Sequence, residues 1–234
     1  MPTNQTYLIA GASSGIGLQL AMQLLECGHL VIGLNRNAGA LEGHPNFEHI
    51  EYDFRSENPM PEINRQLAGI VYCPGSITLK PLANIRRKDL TADFEINVLG
   101  AFFVVQNYKH LLLQAANPSV LFFSSVAASK GFPFHASVSI SKGAVKSLTL
   151  ALAAELAPKI RVNCIAPSLT DTPLSAQLLK SEEKRRANEQ RHPLKKLGTA
   201  GDIAKTAAFL LLDALWMTGQ IIGVDGGISN IQSS

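Results

Sequence analysis

The segment Gly11-Ala12-Ser13-Ser14-Gly15-Ile16-Gly17 decides the fold prediction, because it connects a predicted strand, Thr6–Ala10, to a predicted helix, Gly15–Cys27. In such a turn one glycine permits the tight bend, another lets phosphate oxygens approach the backbone, and a third lets the helix pack against the strand. The helix N-terminus then presents free N–H groups and the positive end of its dipole to a pyrophosphate. The segment therefore predicts a dinucleotide-binding turn.

Beyond this turn, short apolar segments alternate with longer segments of helical periodicity. Several short segments are continuously apolar, which is typical of strands buried on both faces of a parallel sheet. The predicted strands are Thr6–Ala10, Leu30–Leu34, Phe47–Tyr52, Gly69–Cys73, Val120–Phe123, Ile160–Ile165 and Gln220–Val224, and the predicted helices are Gly15–Cys27, Leu90–Gln114, Val138–Leu156 and Gly201–Leu215. This alternation predicts an α/β fold, a doubly wound parallel sheet of seven strands, in one domain spanning residues 1–234.

The composition is that of an ordinary globular protein, with 46% hydrophobic and 17% charged residues. The formal net charge is only +3, and the basic residues are not gathered on one segment. The densest basic cluster, Lys184–Arg186, is interleaved with Glu182, Glu183 and Glu189, which is typical of a solvated helix face. We therefore expect no nucleic-acid partner.

Metal and membrane sites are also not predicted. The three cysteines, Cys27, Cys73 and Cys164, are far apart, so they indicate neither a zinc site nor a disulfide framework. Met1–Gln5 lacks the basic and apolar regions of a secretory signal, and apolar runs such as Ala207–Leu212 are too short to span a membrane. These features predict a cytoplasmic protein.

One segment, Asp171–Leu197, interrupts the alternation of strands and helices. It is polar and helical in pattern, with Pro173 and Pro193 near its ends. An insertion of this length between two core elements predicts a lid over a substrate site. The alternative is a pair of solvated surface helices with no gating role.

The glycine turn also matches Gly-x-Ser-x-Gly, the nucleophile elbow of serine hydrolases, with Ser13 as nucleophile. Asp171 and then His192 would follow in the required chain order. This hypothesis requires Ser13 to lie deep in a sheet built by earlier strands, and only a few residues precede the first strand. A nucleotide-binding turn is the better interpretation.

Several ordered segments resemble the short-chain dehydrogenase/reductase family over nearly the whole chain. They are the Gly-x-x-x-Gly-x-Gly spacing of Gly11, Gly15 and Gly17, then Phe94–Val98, Phe122–Val126, Arg161–Pro167 and Thr218–Gly227. The resemblance implies a nicotinamide cofactor and hydride transfer. It assigns Asn97 as the active-site asparagine, Ser125 as the catalytic serine and Lys142 as the ribose-binding lysine.

The chain also departs from the family pattern. The Asn-Asn-Ala-Gly turn is replaced by Tyr72-Cys73-Pro74-Gly75, and Pro-Gly by Pro167-Ser168, with Thr172 following at a cofactor-contact position. In the Tyr-x-x-x-Lys motif the tyrosine position is occupied by Val138, four residues before Lys142 and thirteen after Ser125. None of the four tyrosines falls in this segment, so the expected proton donor is missing.

Three hypotheses address this loss. His135, three residues before Val138, could supply the proton, because histidine exchanges protons near neutral pH. A water held by Asn97 and Lys142 could protonate a reactive substrate instead. The third hypothesis is a protein that binds the cofactor without turnover, as a sensor or partner subunit.

The end of the second strand, Leu34-Asn35-Arg36-Asn37, carries no acidic residue to bind a ribose 2′-hydroxyl. Arg36 can pair with a 2′-phosphate, which favours NADP(H), although Ser14 stands where NADP-using relatives often carry a second basic residue. Asp53-Phe54 resembles the pair that frames the adenine. The predicted cofactor contacts are Gly11, Ser13, Ser14, Gly15, Ile16, Gly17, Asn35, Arg36, Asp53, Phe54, Cys73, Pro74, Gly75, Asn97, Lys142, Pro167, Thr170 and Thr172.

The sequence thus predicts an NADP(H)-dependent oxidoreductase acting on a small carbonyl or alcohol. The resemblance also implies a homodimer or homotetramer formed through Leu90–Gln114 and Val138–Leu156. Both helices carry more apolar residues than one core-facing stripe needs. These residues are Phe102, Phe103, Val104, Val105, Ile140, Val145, Leu148 and Leu150.

Overall fold

A seven-stranded parallel sheet organises the computed structural model, which describes residues 4–232. The strands are β1 Thr6–Ala10, β2 Leu30–Asn35, β3 Phe47–Glu51, β4 Gly69–Tyr72, β5 Ser119–Phe123, β6 Arg161–Pro167 and β9 Ile221–Val224. Their order in the sheet is β3-β2-β1-β4-β5-β6-β9, so β1 lies inside the sheet between β2 and β4. The predicted doubly wound α/β fold is confirmed.

The helices are α1 Gly15–Glu26, α2 Arg87–Phe94, α3 Gly100–Leu112, α4 Ala136–Leu156, α5 Glu182–Arg191 and α6 Ala200–Leu212. No helix in residues 4–232 is long and apolar enough to cross a membrane. The first three residues of Met1–Gln5, on which the prediction of no secretory signal relied, lie outside the described residues.

Both faces of the sheet are covered. Successive strand residues point to opposite faces, so Leu8 belongs to a core cluster with residues of α3 and α4, and Ile9 to a cluster with residues of α1 and α6. Leu8 and Ile9 are both fully buried. The continuously apolar strands of the sequence therefore lie where a parallel sheet requires them.

The predicted helix Leu90–Gln114 is helical as far as Leu112, but it is not α-helical throughout. It consists of α2, a π-helical turn at Glu95–Leu99, and α3. The buried Tyr72 hydroxyl donates a hydrogen bond to the Ile96 carbonyl oxygen at 2.6 Å, and a Cβ at Gly100 would lie 2.0 Å from the Tyr72 oxygen. A side chain thus reaches into the helix at the turn that carries Asn97.

The segment between β6 and α6 contains two short strands, β7 Thr170–Asp171 and β8 Gly198–Thr199, which the sequence did not predict. Between them lie a 3-10 turn, Pro173–Leu178, and α5. Arg185 forms an ion pair with Asp171 at 2.6 Å, which ties α5 to β7. The predicted lid segment is therefore ordered and attached at its base.

Candidate active site

The glycine turn has the backbone geometry that the sequence predicts. Gly11 and Gly15 adopt positive φ values of +79° and +56°, which side-chain-bearing residues rarely tolerate. A Cβ at Gly17 would lie 2.1 Å from the Gly11 carbonyl oxygen, so α1 can pack this closely against the turn only with glycine there. Ser14, which precedes α1, makes no side-chain capping bond. The first turn of α1 therefore lacks a side-chain cap, as an anion-binding helix end requires.

A cleft of about 320 Å³ lies beside this turn. It brings together most of the predicted cofactor contacts: Gly11, Ser13, Ser14, Gly15, Ile16, Gly17, Asn35, Arg36, Asp53, Phe54, Cys73, Pro74, Gly75 and Thr172. Asn35 has a structural role here, because its Oδ1 accepts a hydrogen bond from the Ala12 N–H at 2.8 Å and its Nδ2 donates to the Asn37 carbonyl at 2.9 Å. Asn35 holds the glycine turn against β2.

Two guanidinium groups line the cleft. Arg36 follows β2, and Arg55, which sequence reasoning missed, follows the Asp53-Phe54 pair beyond β3. The Asp53 carboxylate also lines the cleft, but it accepts a hydrogen bond from the Arg55 backbone N–H at 3.0 Å. Because β2 and β3 are neighbouring parallel strands, their carboxyl ends meet at one edge of the sheet. A basic residue shortly after each of these strands is the signal that could have identified Arg55.

A second cavity, of about 460 Å³, adjoins the cleft. It brings together Ser125, His135, Val138 and Lys142, the predicted catalytic positions other than Asn97. Pro167, Thr170 and Thr172 line it as well, on the side of β6 and β7. The rest of its wall is largely apolar and includes Ile77, Leu79, Val126, Phe132, Leu174 and Leu178.

Lys142 and Asn97 meet at the junction of the cleft and the cavity. The Lys142 ammonium donates to the Phe123 carbonyl oxygen at 2.9 Å, and its burial lowers the pKa of Lys142 to about 8. Asn97 donates through Nδ2 to the Asp93 carbonyl oxygen at 2.8 Å, but its buried Oδ1 has no partner. A Cβ at Gly75 would lie 2.9 Å from that Oδ1 and 3.4 Å from the Lys142 Nζ.

This junction fits the ribose of a nicotinamide cofactor. A buried acceptor left without a partner costs about 1–3 kcal/mol, and a ribose hydroxyl can both donate to the Asn97 Oδ1 and accept from Lys142. The absence of a side chain on Gly75 keeps this space open. Asn97, Lys142 and the glycine turn therefore form a set that can hold one extended ligand.

Ser125 is held with its hydroxyl hydrogen uncommitted. It lies just beyond β5 and caps a 3-10 turn, Val126–Ala128, by accepting the Ala127 N–H at 3.1 Å. Its oxygen is thus used as an acceptor within the protein, and its O–H can donate to an oxygen in the cavity.

Val138 is 4% exposed and forms part of the cavity wall, so no phenol stands at this position. All four tyrosines lie within the described residues, and each hydroxyl bonds elsewhere: Tyr7 to Gln5, Tyr52 to Asn58, Tyr72 to Ile96 and Tyr108 to Pro61. His135, at the start of α4, has its Nδ1 2.7 Å from the Pro133 carbonyl oxygen. That carbonyl leaves the Nε2 of His135 as the nitrogen available for proton exchange.

The serine hydrolase arrangement is not formed. Ser13 lies in the glycine cleft, Asp171 is paired with Arg185, and His192 is bonded to Ser168 and Asn188. The physical reason is that the fold separates these residues, because Ser13 lines the cleft whereas His192 lines the second cavity. Among residues 4–232 no group of three His, Cys, Asp or Glu residues is placed to hold a metal ion.

Sequence reasoning missed one polar pair in the cavity. The Ser168 Oγ lies 2.8 Å from the His192 Nε2, and the His192 Nδ1 lies 2.8 Å from the Asn188 carbonyl oxygen. His192 is 3% exposed. Ser168 directly follows β6 and His192 directly follows α5, so their contact depends on how the segment between these two elements folds.

Comparison with known proteins agrees with this architecture. A family model described as enoyl-(acyl carrier protein) reductase matches residues 11–229. The 3-oxoacyl-(acyl-carrier-protein) reductase FabG of Thermotoga maritima is 34% identical over 149 residues, which cover 63% of this chain and 60% of that protein's own length.

Solved structures match over nearly the whole chain. A short-chain type dehydrogenase/reductase from Mycobacterium ulcerans is 30% identical, with a TM-score of 0.88, over 97% of this chain and 90% of that one. ElxO with NADP bound is 25% identical, with a TM-score of 0.84, over 97% of this chain and 99% of that one. The chain belongs to the short-chain dehydrogenase/reductase family, which consists of oxidoreductases that bind nicotinamide cofactors.

Proposed function

We propose that this protein is an NADP(H)-dependent oxidoreductase that transfers a hydride between the nicotinamide and a small carbonyl or alcohol substrate. The observation that carries the proposal is the continuity of the cleft with the cavity. Both are lined by Ile16, Cys73, Gly75, Thr172 and Leu174. A ligand whose phosphates lie at the glycine turn can therefore extend past Lys142 to the cavity that holds Ser125.

The preference for NADP(H) rests on the charges at the far end of the cleft. Arg36 and Arg55 both line it, and no carboxylate follows β2 to compete for a ribose 2′-hydroxyl. A guanidinium binds a phosphate through charge-assisted, often bidentate hydrogen bonds. ElxO, which has this fold, was solved with NADP bound.

In the proposed mechanism the chain's own groups have separate roles. The uncapped N-terminus of α1 binds the phosphates, and Lys142 with the Asn97 Oδ1 binds the ribose. When bound, the cofactor supplies or accepts the hydride. Ser125 donates its hydroxyl hydrogen to the substrate oxygen and orients it, and the apolar wall of the cavity excludes water from the reacting carbon.

The alternative is a protein that binds NADP(H) without turnover, as a sensor or partner subunit. The observation in its favour is Val138, a buried aliphatic side chain where the family pattern has its proton donor. In this case the cleft would bind the cofactor, and the cavity would bind a ligand without turnover or bind none.

Calorimetric titration with NADPH and NADH, followed by turnover on a panel of small carbonyl compounds, separates these functions. We expect tighter binding of NADPH, and NADPH oxidation with at least one carbonyl. Binding without turnover on any compound would support the sensor alternative, and failure to bind either dinucleotide would contradict both.

We also propose that the protein forms a homodimer or homotetramer through α3 and α4. Four of the eight apolar residues on which the prediction relied are exposed: Phe102, Phe103, Ile140 and Leu150. The prediction is wrong for Val104, Val105 and Val145, which are buried in the core cluster with residues of the sheet. Sedimentation velocity should show an oligomer that Phe103→Glu and Leu150→Glu weaken. Leu82→Glu, which changes a residue exposed outside both helices, should leave the oligomer intact.

A further inference from the structure

The cavity where the proton donor is missing also contains a serine–histidine pair, Ser168 and His192. Ser168 follows β6, and Ser125 follows β5, the neighbouring strand. The two strands are parallel and in register, with Phe123 opposite Ile165, so both serines leave the same edge of the sheet. Ser125, Val138, Ser168 and His192 all line the one cavity.

The hydrogen bonds of His192 define its tautomer. The Asn188 carbonyl oxygen, 2.8 Å from Nδ1, can only accept a hydrogen bond, so Nδ1 carries its hydrogen in either charge state of the ring. The proton that His192 gains or loses is therefore on Nε2, 2.8 Å from the Ser168 Oγ. Neutral His192 accepts the Ser168 O–H, and protonated His192 donates to the Ser168 Oγ.

We propose that Ser168 and His192 form the proton relay to the substrate oxygen, in place of the absent phenol. This inference rests on the proposed oxidoreductase function. When a carbonyl carbon gains a hydride, its C=O π bond breaks and the electron pair moves to oxygen. The alkoxide takes the Ser168 hydroxyl proton, Ser168 takes the Nε2 proton of His192, and His192 becomes neutral. Oxidation of an alcohol follows the same steps in reverse.

The surroundings of His192 hold its ring in a fixed position. The ring packs against the backbone of Gly226, where a Cβ would lie 3.4 Å from Cδ2. The carboxylate of Asp225, the residue before Gly226, accepts the N–H groups of Gly227 and Ser229. Apart from the buried Cys73 thiol, the other ionisable residues that line the cavity are basic: His135, Lys142, Lys184 and Arg191. This positive environment stabilises an alkoxide in the cavity.

The test compares NADPH-dependent carbonyl reduction by the parent, Ser168→Ala, His192→Gln and the double variant. His44→Gln, which changes an exposed histidine outside both cavities, is the control. We expect each single change to lower kcat by about a hundredfold or more, with NADPH affinity unchanged. The double variant should be no slower than the slower single variant, because the two groups act as one unit.

Nitrogen NMR of the imidazoles in the cofactor-free protein gives a readout that does not depend on turnover. We expect the His192 Nδ1 to carry a hydrogen, bonded to the Asn188 carbonyl oxygen, and Ser168→Ala to shift the Nε2 signal. Because Ser168→Ala removes only a hydroxyl, it tests the relay even if His192→Gln does not fold.

Two outcomes overturn the relay. Turnover that survives both single changes but is lost in His135→Gln would assign proton transfer to His135 and leave the oxidoreductase function standing. NADPH binding without turnover in the parent would overturn the function and the relay together.

Discussion

The glycine cleft and the adjoining second cavity are formed by different features of the chain. The cleft is shaped by backbone features: positive-φ glycines, an uncapped helix end and a close contact of α1 with the glycine turn. The cavity depends on side chains, and there the family pattern is altered at Val138 and Ser168. A backbone site follows from glycine spacing alone, whereas a side-chain site can exchange its proton donor within the same fold.

Gly17→Ala should produce the largest effect, because the contact it breaks is between backbone atoms. The added Cβ would lie 2.1 Å from the Gly11 carbonyl oxygen, and no side chain can move aside to relieve it. We expect a loss of about 3 kcal/mol or more in the free energy of unfolding, at or above the upper end of overpacking costs. Urea unfolding measures it.

Gly143→Ala is the matched control, since nothing lies within 4 Å of its added Cβ in α4. It should leave stability unchanged or raise it by up to about 1 kcal/mol, as alanine is the better helix former. Equal stability of the two variants would show that α1 does not pack on the turn as described.

Arg36→Ala tests the charged end of the cleft. We expect NADPH to bind about tenfold to a hundredfold more weakly, because a charge-assisted hydrogen bond contributes about 1.5–3 kcal/mol. NADH affinity should not change, since NADH lacks the 2′-phosphate. Calorimetry on both dinucleotides measures the difference, and Arg65→Ala, an arginine outside the cleft, is the control.

A parent that binds NADPH and NADH equally would contradict the assignment of Arg36. Arg55→Ala then sharpens the comparison, because Arg55 lines the same cleft. If the two arginines share the phosphate, the double variant should lose more affinity than either single variant.

The two regions also differ in how far the sequence predicted them. The parallel sheet and the glycine turn follow from apolar periodicity and motif spacing, and the roles of Lys142 and Asn97 follow from the family resemblance. The π-helical turn did not, because it depends on the Tyr72 hydroxyl reaching Ile96 from another strand. Arg55 was missed because its place in the cleft depends on where β3 ends.

The Ser168–His192 pair could not be predicted from the sequence, for a similar reason. His192 entered sequence reasoning only through a hydrolase order with Ser13 and Asp171, and the fold separates these residues. Its actual partners, Ser168 and the Asn188 carbonyl, depend on how α5 lies over the cavity. A lid predicted from polarity alone carries no information on which side chain faces inward.

Val138→Tyr restores the phenol that the cavity lacks. Val138 lies one helical turn before Lys142 in α4, so both residues project from the same face. We expect reduction of an activated diketone to rise about tenfold or more, because general acids contribute at least this much. Val138→Phe is the matched control, since it adds the ring without the hydroxyl.

The same substitution distinguishes the proton donors. If the relay acts in the parent, Val138→Tyr should restore activity to His192→Gln, and if His135 acts, it should restore His135→Ala. A Val138→Tyr variant that binds NADPH without turnover would favour the sensor alternative. The site would then differ from the family pattern in more than Val138, at Pro74 in the cleft and at Ser168 in the cavity.

The last prediction concerns Lys142, whose ammonium is buried where the two regions meet. Burial lowers the pKa of Lys142 from 10.5 to about 8 in the folded protein. Between these two values the unfolded chain holds a proton that the folded chain has released. The Lys142 contribution to the free energy of unfolding therefore rises with pH across this window, by at most about 1.4 kcal/mol per pH unit. Below pH 8 the cost of burying the charge is fully present.

Lys142→Met removes this charge while keeping an unbranched side chain. We expect the Met variant to be more stable than the parent near pH 7.5, and the gap to shrink by pH 9.5 in urea unfolding of the cofactor-free protein. Burial raises the pKa of Cys164 to about 11 and that of Cys73 to about 12, and both thiols lower stability as pH rises. The Lys142 charge lowers the pKa of both thiols, but at pH 9.5 both stay protonated in either folded protein, so their effect cancels in the difference. Lys109→Met, at an exposed position in α3, should show no such gap, and a gap independent of pH in Lys142→Met would mean that the ammonium is as solvated in the folded protein as in the unfolded chain.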